Sequence, residues 1–288
     1  KVEDTVNNYV IFSDEAIYKK NQEIVITEGN SKGIDDKNRT ITSDKITYNK
    51  ITNVVTAEGK VKVEDTVNNY VIFSDEAIYK KNQEIVITEG NSKGIDDKNR
   101  TITSDKITYN KITNVVTAEG KVKVEDTVNK HKIKTEKLNY FRKINKITTT
   151  GPTEADIQKE YQITSENLTL FLNTNQLSSK SKSTIKDLKN QIFFLDEFIY
   201  FIDTSLLKGK NVLNITNYNL PKSDRFFFSD GIFNLRSKNF TASNTKINIH
   251  NNIFDNEEND PRIYGVSSKG TKEFTTINKG IFTTCQKR

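Results

Sequence analysis

From Asn53 to Val63 the chain reads NVVTAEGKVKV, so that Val55, Ala57, Gly59, Val61 and Val63 alternate with Thr56, Glu58, Lys60 and Lys62. Alternation of period two over this length predicts a strand with one apolar and one wet face. The segment before it sets Ile46 and Tyr48 on one face. Equivalent pairs recur as Ala16/Tyr18, Leu138/Tyr140, Leu168/Leu170 and Phe198/Tyr200. Polar stretches such as Lys19-Lys20-Asn21-Gln22 and Asn49-Lys50-Ile51-Thr52 separate the strands and predict turns. No segment sustains a 3.6-residue period, which predicts almost no helix.

The pattern is a repeat. Residues 1–68 recur unchanged at 62–129, so the second copy offers Val116, Ala118, Val122 and Val124 where the first has Val55, Ala57, Val61 and Val63. Within each 61-residue unit, SDEAIYKKNQEIVITEG from Ser13 aligns with SDKITYNKITNVVTAEG from Ser43. The frame continues through TEKLNYFRKINKITTTG from Thr135, SENLTLFLNTNQLSSKS from Ser165, LDEFIYFIDTSLLKGKN from Leu195 and looser copies from Ser229 and Lys269. We expect one elongated repeat domain over 1–288: identical tandem units at 1–61 and 62–122, divergent repeats over 123–225, and C-terminal turns over 226–288. Repeat arrays tolerate insertion of whole units because each unit touches mainly its neighbours.

Composition narrows the chemistry. Hydrophobic residues make up 34% and aromatics 9%, with 12 Gly and 3 Pro, a balance that argues against disorder. The absence of Met points to an excised or processed segment. Each 61-residue copy carries 9 basic and 10 acidic residues, so the whole basic excess lies in residues 123–288. That excess suits an anionic partner. One Cys and two His leave no metal-ligand cluster, and no apolar run reaches the ~18 residues of a membrane helix. Carboxylates at Asp14, Glu15, Asp75, Asp105, Glu136 and Asp196 recur at every turn, which marks a solvated exterior ladder; a catalytic acid–base pair would occur once. We therefore expect no catalytic residue, metal or cofactor. Nucleic-acid binding, suggested by Phe226-Phe227-Phe228 among basic residues, is disfavoured by the interleaved acids, and the Phe run reads better as a strand buried on both faces.

Ala-x-Tyr, a short polar turn, and an alternating strand ending in Glu-Gly-Lys-Val, repeated every 30 residues or so, resembles the OstA-like repeat of the lipopolysaccharide-transport proteins. The ending GTKEFTTINKGIFTTCQKR, with Phe282-Thr283-Thr284-Cys285, is similar to the segment that closes the periplasmic domain of LptD-type lipopolysaccharide-assembly proteins. The resemblance implies an all-β, elongated, twisted β-jellyroll whose antiparallel strands form a V-shaped trough at the periplasmic side of the outer membrane. It implies that lipopolysaccharide is received from an LptA-like bridge by strand addition at the N-terminal edge and passed to a barrel beyond this chain, plugged by an LptE-like lipoprotein. Cys285 matches a cysteine that pairs outside this chain; a buried free thiol is the alternative. Two other readings fit the period: a stand-alone LptA-like bridge and a β-solenoid structural or adhesin module.

A lipid conduit needs an apolar interior and a wet exterior. The inner-face residues named above are the expected lining, with Ala57 and Gly59 leaving space between larger neighbours. Holding a twelve-carbon chain there is worth on the order of 9 kcal/mol, at roughly 0.8 kcal/mol per CH₂. Lys180, Lys182, Lys208, Lys210 and Arg236 are candidates for the lipid phosphates or, more simply, solvated lysines and arginine.

Overall fold

The alternating segments fold as antiparallel sheet. The computed structural model describes residues 2–4, 9–254 and 259–285, and among these the only helical elements are four short 3-10 turns. The chain forms two compact units, Lys1–Asn145 and Lys146–Arg288.

The first unit holds β1 (Val2–Asp4), β2 (Tyr9–Phe12), β3 (Glu15–Lys19), β4 (Ile24–Asp35), β5 (Thr40–Asn49), β6 (Val54–Asp65), β7 (Tyr70–Lys80), β8 (Ile85–Asp96), β9 (Thr101–Asn110), β10 (Val115–Asp126) and β11 (His131–Phe141). From β4 to β11 each strand pairs with the next in sequence. The ladder slips at one height throughout: Glu28/Ser31 in β4, Glu58/Val61 in β6, Glu89/Ser92 in β8 and Glu119/Val122 in β10. A bulge re-aims a strand, so the halves of each strand lie in two layers. Residues 24–28, 45–49, 54–58, 76–80, 85–89, 106–110, 115–119 and 137–141 make the first layer. Residues 31–35, 40–43, 61–65, 70–74, 92–96, 101–104, 122–126 and 131–135 make the second.

The residues at the slip explain it. Gly29, Gly59, Gly90 and Gly120 have φ between +72° and +78°, and each is followed by a second left-handed residue: Asn30, Lys60, Asn91 or Lys121. Only glycine reaches the first position without strain. An Asp on the neighbouring strand fills the space where a side chain would stand; a Cβ at Gly59 would come 2.6 Å from Asp44 Oδ2. The Asn30 amide donates to Asp14 Oδ2 at 2.9 Å, and Asn91 repeats the bond to Asp75 at 2.8 Å. The preceding serines close the corner from within the chain: Ser43 Oγ donates to the Lys45 carbonyl at 2.7 Å and Ser74 Oγ to that of Glu76 at 2.8 Å. The carboxylate ladder is thus exterior, as the sequence suggests, and it also braces the bend. Gly59 is a corner residue, which corrects its assignment as a spacer between the layers.

Turns at the strand ends use the same economy of residue types. After β3, β7 and β11 a 3-10 turn ends in Glu23, Glu84 or Asn145 with φ of 49° to 53°. At the other ends Asp35 and Asp65 accept backbone N–H bonds from residues two to four positions on, the Asx geometry that lets a short side chain replace a backbone turn.

The second unit keeps this scheme, but its corners interrupt the early strands outright. Its elements are β12 (Lys146–Thr150), β13 (Thr153–Ile157), β14 (Tyr161–Ser165), β15 (Thr169–Phe171), β16 (Gln176–Ser179), β17 (Ser183–Asp187), β18 (Ile192–Leu195) and β19 (Glu197–Phe201). They continue as β20 (Leu206–Ile215), β21 (Arg225–Asn234), β22 (Phe240–Asn248), β23 (Arg262–Gly270), β24 (Thr275–Asn278) and β25 (Ile281–Thr283). β12, β15, β16 and β19 run side by side in one layer, while β13, β14, β17 and β18 do so in the other. β20 joins both, pairing with β19 through residues 206–210 and with β18 through 213–215. The Phe run in β21 is half-buried at Phe226 and Phe227, and only Phe228 is fully enclosed, because Lys246 lies across the Phe227 ring at 5.4 Å instead of a second apolar layer.

The fold is therefore an all-β, antiparallel jellyroll in two layers, and its bends are its weak points. Gly59→Ala is expected to lower unfolding free energy by about 1–3 kcal/mol, the cost of holding a non-glycine residue in a sparsely populated backbone region with its Cβ against Asp44. Urea titration followed by far-UV circular dichroism measures it, and a variant as stable as the parent would show that the bend tolerates a side chain.

Candidate functional site

The inner faces of the layers meet. In the first unit Ile46, Tyr48, Val55, Ala57, Val61, Ala118, Val122 and Leu138 are each no more than 2% exposed, and Val63 reaches 9%. In the second, Leu168, Leu170, Phe198 and Tyr200 are equally enclosed. Val116, Val124 and Tyr140 are half-buried. Ala16 and Tyr18 stand apart because every residue of β3 is exposed. They lie opposite Thr27 and Val25 in the ladder, and cross-strand partners share a face. Both therefore belong to the inner face, left uncovered on β3.

Large side chains reach into the interior from both layers. Aromatic rings cross it: Tyr70 of the second layer meets Tyr109 of the first edge-on at 5.0 Å. In the second unit Tyr161 meets Tyr200 at 5.8 Å and Phe193 meets Phe233 at 5.3 Å. A cavity of about 30 Å³ lies among Ile41, Val55, Val63, Val86, Arg39 and Lys111 in the first unit, room for a water molecule and not for an acyl chain. Ala57 is wholly buried, Gly59 sits at the corner, and tyrosines of the two layers meet in the interior.

The mouth of the first unit, where the turns of both layers come together, is charged. Arg39, on the β4–β5 turn of the second layer, pairs with Asp35 and reaches across to the Tyr79 hydroxyl at 3.4 Å and Glu84 Oε2 at 3.5 Å. Lys111, at the end of β9 in the first layer, reaches back to Asp65 Oδ2 at 3.6 Å, with Glu84 at 3.8 Å and the Tyr79 ring 4.4 Å beneath its ammonium. Arg100 pairs with Asp96 and donates to the Tyr140 hydroxyl at 2.9 Å. Arg142 donates to the Asn68 carbonyl at 2.7 Å and the Tyr109 hydroxyl at 3.2 Å. Four cations thus staple one layer to the other. In the second unit Lys238 plays the same part, bonding Asp187 at 3.0 Å and Gln191 at 2.8 Å.

Protonation follows from these contacts. Burial, and next the neighbouring Arg39, push the Lys111 ammonium below its ordinary pKa against the pull of Asp65 and Glu84. Burial works against the charge of Arg39, but its bond to Asp35 and the proximity of Tyr79 and Glu84 outweigh it and raise its pKa. Burial alone would raise Asp65; the backbone and side-chain bonds from Asn68, with Lys111 and Arg39 close by, lower it instead.

Periodicity gave no sign of this row, since its members lie in polar turns where alternation stops. One signal was available: in a lysine-rich chain, Arg39 and Arg100 are the only arginines in residues 1–129. The rim candidates Lys180, Lys208 and Lys210 do come together, with Ile199, Ile232 and Thr241, around a groove of about 570 Å³ in the second unit. The groove lies on the wet face, as Ile199, Lys208 and Ile232 are cross-strand partners there, and Lys210 is paired with Glu197 at 3.3 Å. Lys182 and Arg236 are exposed elsewhere. Cys285 is an exposed free thiol, which removes the buried-thiol alternative; its carbonyl accepts from Arg262 at 2.6 Å. No group of three or more metal-ligating side chains occurs among the described residues.

No family model matches the sequence, and no curated protein matches it. Among solved structures, the chain is similar to the crystal structure of LptH, the LptA-homologous periplasmic component of the lipopolysaccharide transport device from Pseudomonas aeruginosa. The likeness has 19% identity and a TM-score of 0.36, and covers 41% of this chain and 87% of that one.

The lowered pKa of Asp65 has a thermodynamic consequence. A carboxyl whose native pKa lies below its unfolded value contributes stability that is complete above the unfolded pKa and lost as pH falls through the native one. Asp65→Asn is therefore expected to lose less stability than the parent between neutral pH and acid, by on the order of 1 kcal/mol. Urea titrations at stepped pH read the difference; parallel acid dependence in both proteins would remove Asp65 as a determinant.

Proposed function

We propose that this chain is a periplasmic lipopolysaccharide-carrying module whose two layers hold acyl chains between their inner faces. The observation that carries the reading is the buried inner row, mainly apolar at strand after strand in both units with serines and threonines among them, in a chain whose repeat resembles OstA-like lipopolysaccharide-transport proteins. A row that offers each acyl chain the same surroundings at every turn lets lipid slide with little net bias, so direction comes from an energy-coupled step elsewhere.

The finer reading is that the chain is the periplasmic part of an LptD-type outer-membrane assembly protein. It takes lipopolysaccharide from an LptA-like bridge and hands it to a barrel plugged by an LptE-like lipoprotein. Two features support it. Among the described residues β3 is hydrogen-bonded on one side only, to β4, and an unpaired edge with exposed Ala16 and Tyr18 suits strand addition by a bridge. Cys285 is accessible near the end of β25, where the LptD-like ending calls for a disulfide to a region outside this chain. A stand-alone LptA-like bridge shares the first feature and not the second.

The closely packed interior favours one other reading, a structural β-rod with a filled core. Photo-crosslinking separates the two. A photo-reactive residue in place of Leu138 or Tyr18, on the inner face, is expected to form lipopolysaccharide adducts, and one in place of Lys62, on the wet face, to form none. Absence of adducts from both inner positions leaves the rod.

The disulfide is tested in the parent protein from which this segment comes. Non-reducing peptide mapping is expected to find Cys285 joined to a cysteine outside residues 1–288, and recovery of Cys285 only as a free thiol would return the assignment to the stand-alone bridge.

A further inference from the structure

The cations at the mouth of the first unit have more than a structural part to play. The two layers are stapled across the mouth, so an acyl chain that enters there must part them. Parting them there breaks the contacts of Arg39 with Tyr79 and Glu84, of Lys111 with Asp65, of Arg100 with Tyr140 and of Arg142 with Asn68. Each break leaves a cation at the lip of an apolar space. Resting on the lipid-carrying reading above, we propose that Arg39, Arg100, Lys111 and Arg142 form a phosphate-binding row that receives the anionic headgroup of a multiply acylated glycolipid while its tails lie between the layers.

The geometry fits this exchange. The 30 Å³ cavity lies directly under Arg39 and Lys111, with an apolar floor of Ile41, Val55, Val63 and Val86. Head and tail positions are therefore already adjacent. The protein partners of the row are weak ones to displace: two of the cross-layer contacts of Arg39 are at 3.4 and 3.5 Å, and those of Arg100 and Arg142 are neutral oxygens. A phosphate offers several charged acceptors at once, and guanidinium groups bind it through two parallel N–H bonds. The compensating charge is unevenly shared along the row. Arg39 has two carboxylates, Asp35 and Glu84. Arg100 has one ion-pair partner, Asp96, with Asp126 close enough to feel its charge, and among the described residues Arg142 has no carboxylate partner.

The test uses the chain with a photo-reactive residue at Leu138 and two probes in detergent micelles: a bisphosphorylated, multiply acylated glucosamine disaccharide and its dephosphorylated form. The parent is expected to label the phosphorylated probe about ten-fold more strongly, a ratio that the Arg100→Gln/Arg142→Gln pair reduces to near one and the Arg100→Lys/Arg142→Lys pair largely keeps. Glu84→Gln, which removes one carboxylate from both Arg39 and Lys111, is expected to strengthen labelling and is informative even where the glutamine pair does not fold. Equal labelling of both probes by the parent, or a glutamine pair that folds and keeps the preference, overturns the phosphate row and leaves the lipid-carrying reading in place. Labelling of neither probe overturns both. Inorganic phosphate in excess is expected to compete poorly, and full competition would assign the row to free phosphate instead of a lipid.

Discussion

The structure depends on making a strand belong to two layers. A strand that runs straight through an antiparallel sheet buries one face against whatever covers it, and among the described residues no α-helix serves that purpose. Bending each at its midpoint lets the sheet cover itself. In β4, β6, β8 and β10 the bend is made by two successive left-handed residues, glycine followed by asparagine or lysine, and it must fall at one height in every strand or the ladder breaks. The Asp on the neighbouring strand enforces that height by occupying the space beside each glycine. Alignment of corners then aligns the inner rows, and aligned inner rows give one interior from strand to strand.

What fills that interior is settled by size. Valine, isoleucine and alanine alone leave the layers separated by side chains too short to interlock, whereas a tyrosine at Tyr70 or Tyr109 spans more of the gap, and the Tyr109 hydroxyl accepts from Arg142 at the mouth. The rings meet edge-on, an arrangement favoured for aromatic pairs, while Tyr109 hydrogen-bonds Asn114 at 2.7 Å. The layers are held together at the mouth by a few polar contacts whose partners water or an anion can replace, and deeper down by apolar contacts that acyl chains can replace like for like. The proposed carrying function then asks that the mouth be the weaker of the two.

The strands and their inner faces were legible because period-two alternation reports burial directly: Val55, Ala57, Val61 and Val63 face inward as read. The corner was legible only as a glycine. Its purpose depends on an Asp some 15 residues earlier on another strand, a pairing that needs the register to be known. Ala16 and Tyr18 were assigned to the inner face from their repeat equivalents, and the ladder agrees, but exposure depends on whether a facing layer is there, which no local pattern reports. The stapling row was invisible for a related reason. Arg39 meets Glu84 45 residues on, and Arg142 meets Asn68 74 residues back, so the turns that carry them look like any solvated turn. Lys180, Lys208 and Lys210 show the converse: basic residues read as one rim gather on the wet face, away from the buried interior.

The duplication sharpens the meaning of the row. Residues 1–68 and 62–129 are identical, yet Arg39 and Arg100, copies of one residue, have different partners across the mouth. Each looks 40 residues ahead to a tyrosine, Tyr79 or Tyr140, and that contact is kept. Forty-five residues ahead, Arg39 finds Glu84, while the position that faces Arg100 lies past the end of the copied stretch and holds Asn145. A neutral amide for a carboxylate leaves Arg100 with less compensating charge in the same fold, and Arg142 follows with neutral oxygens alone. Exact repetition in sequence thus produces a graded charge in space, because each staple is set by the strand pair ahead of it and not by its own copy. Identical turns alone would give a uniform interior; the divergent strand that follows them makes one end of the mouth more cationic than the other.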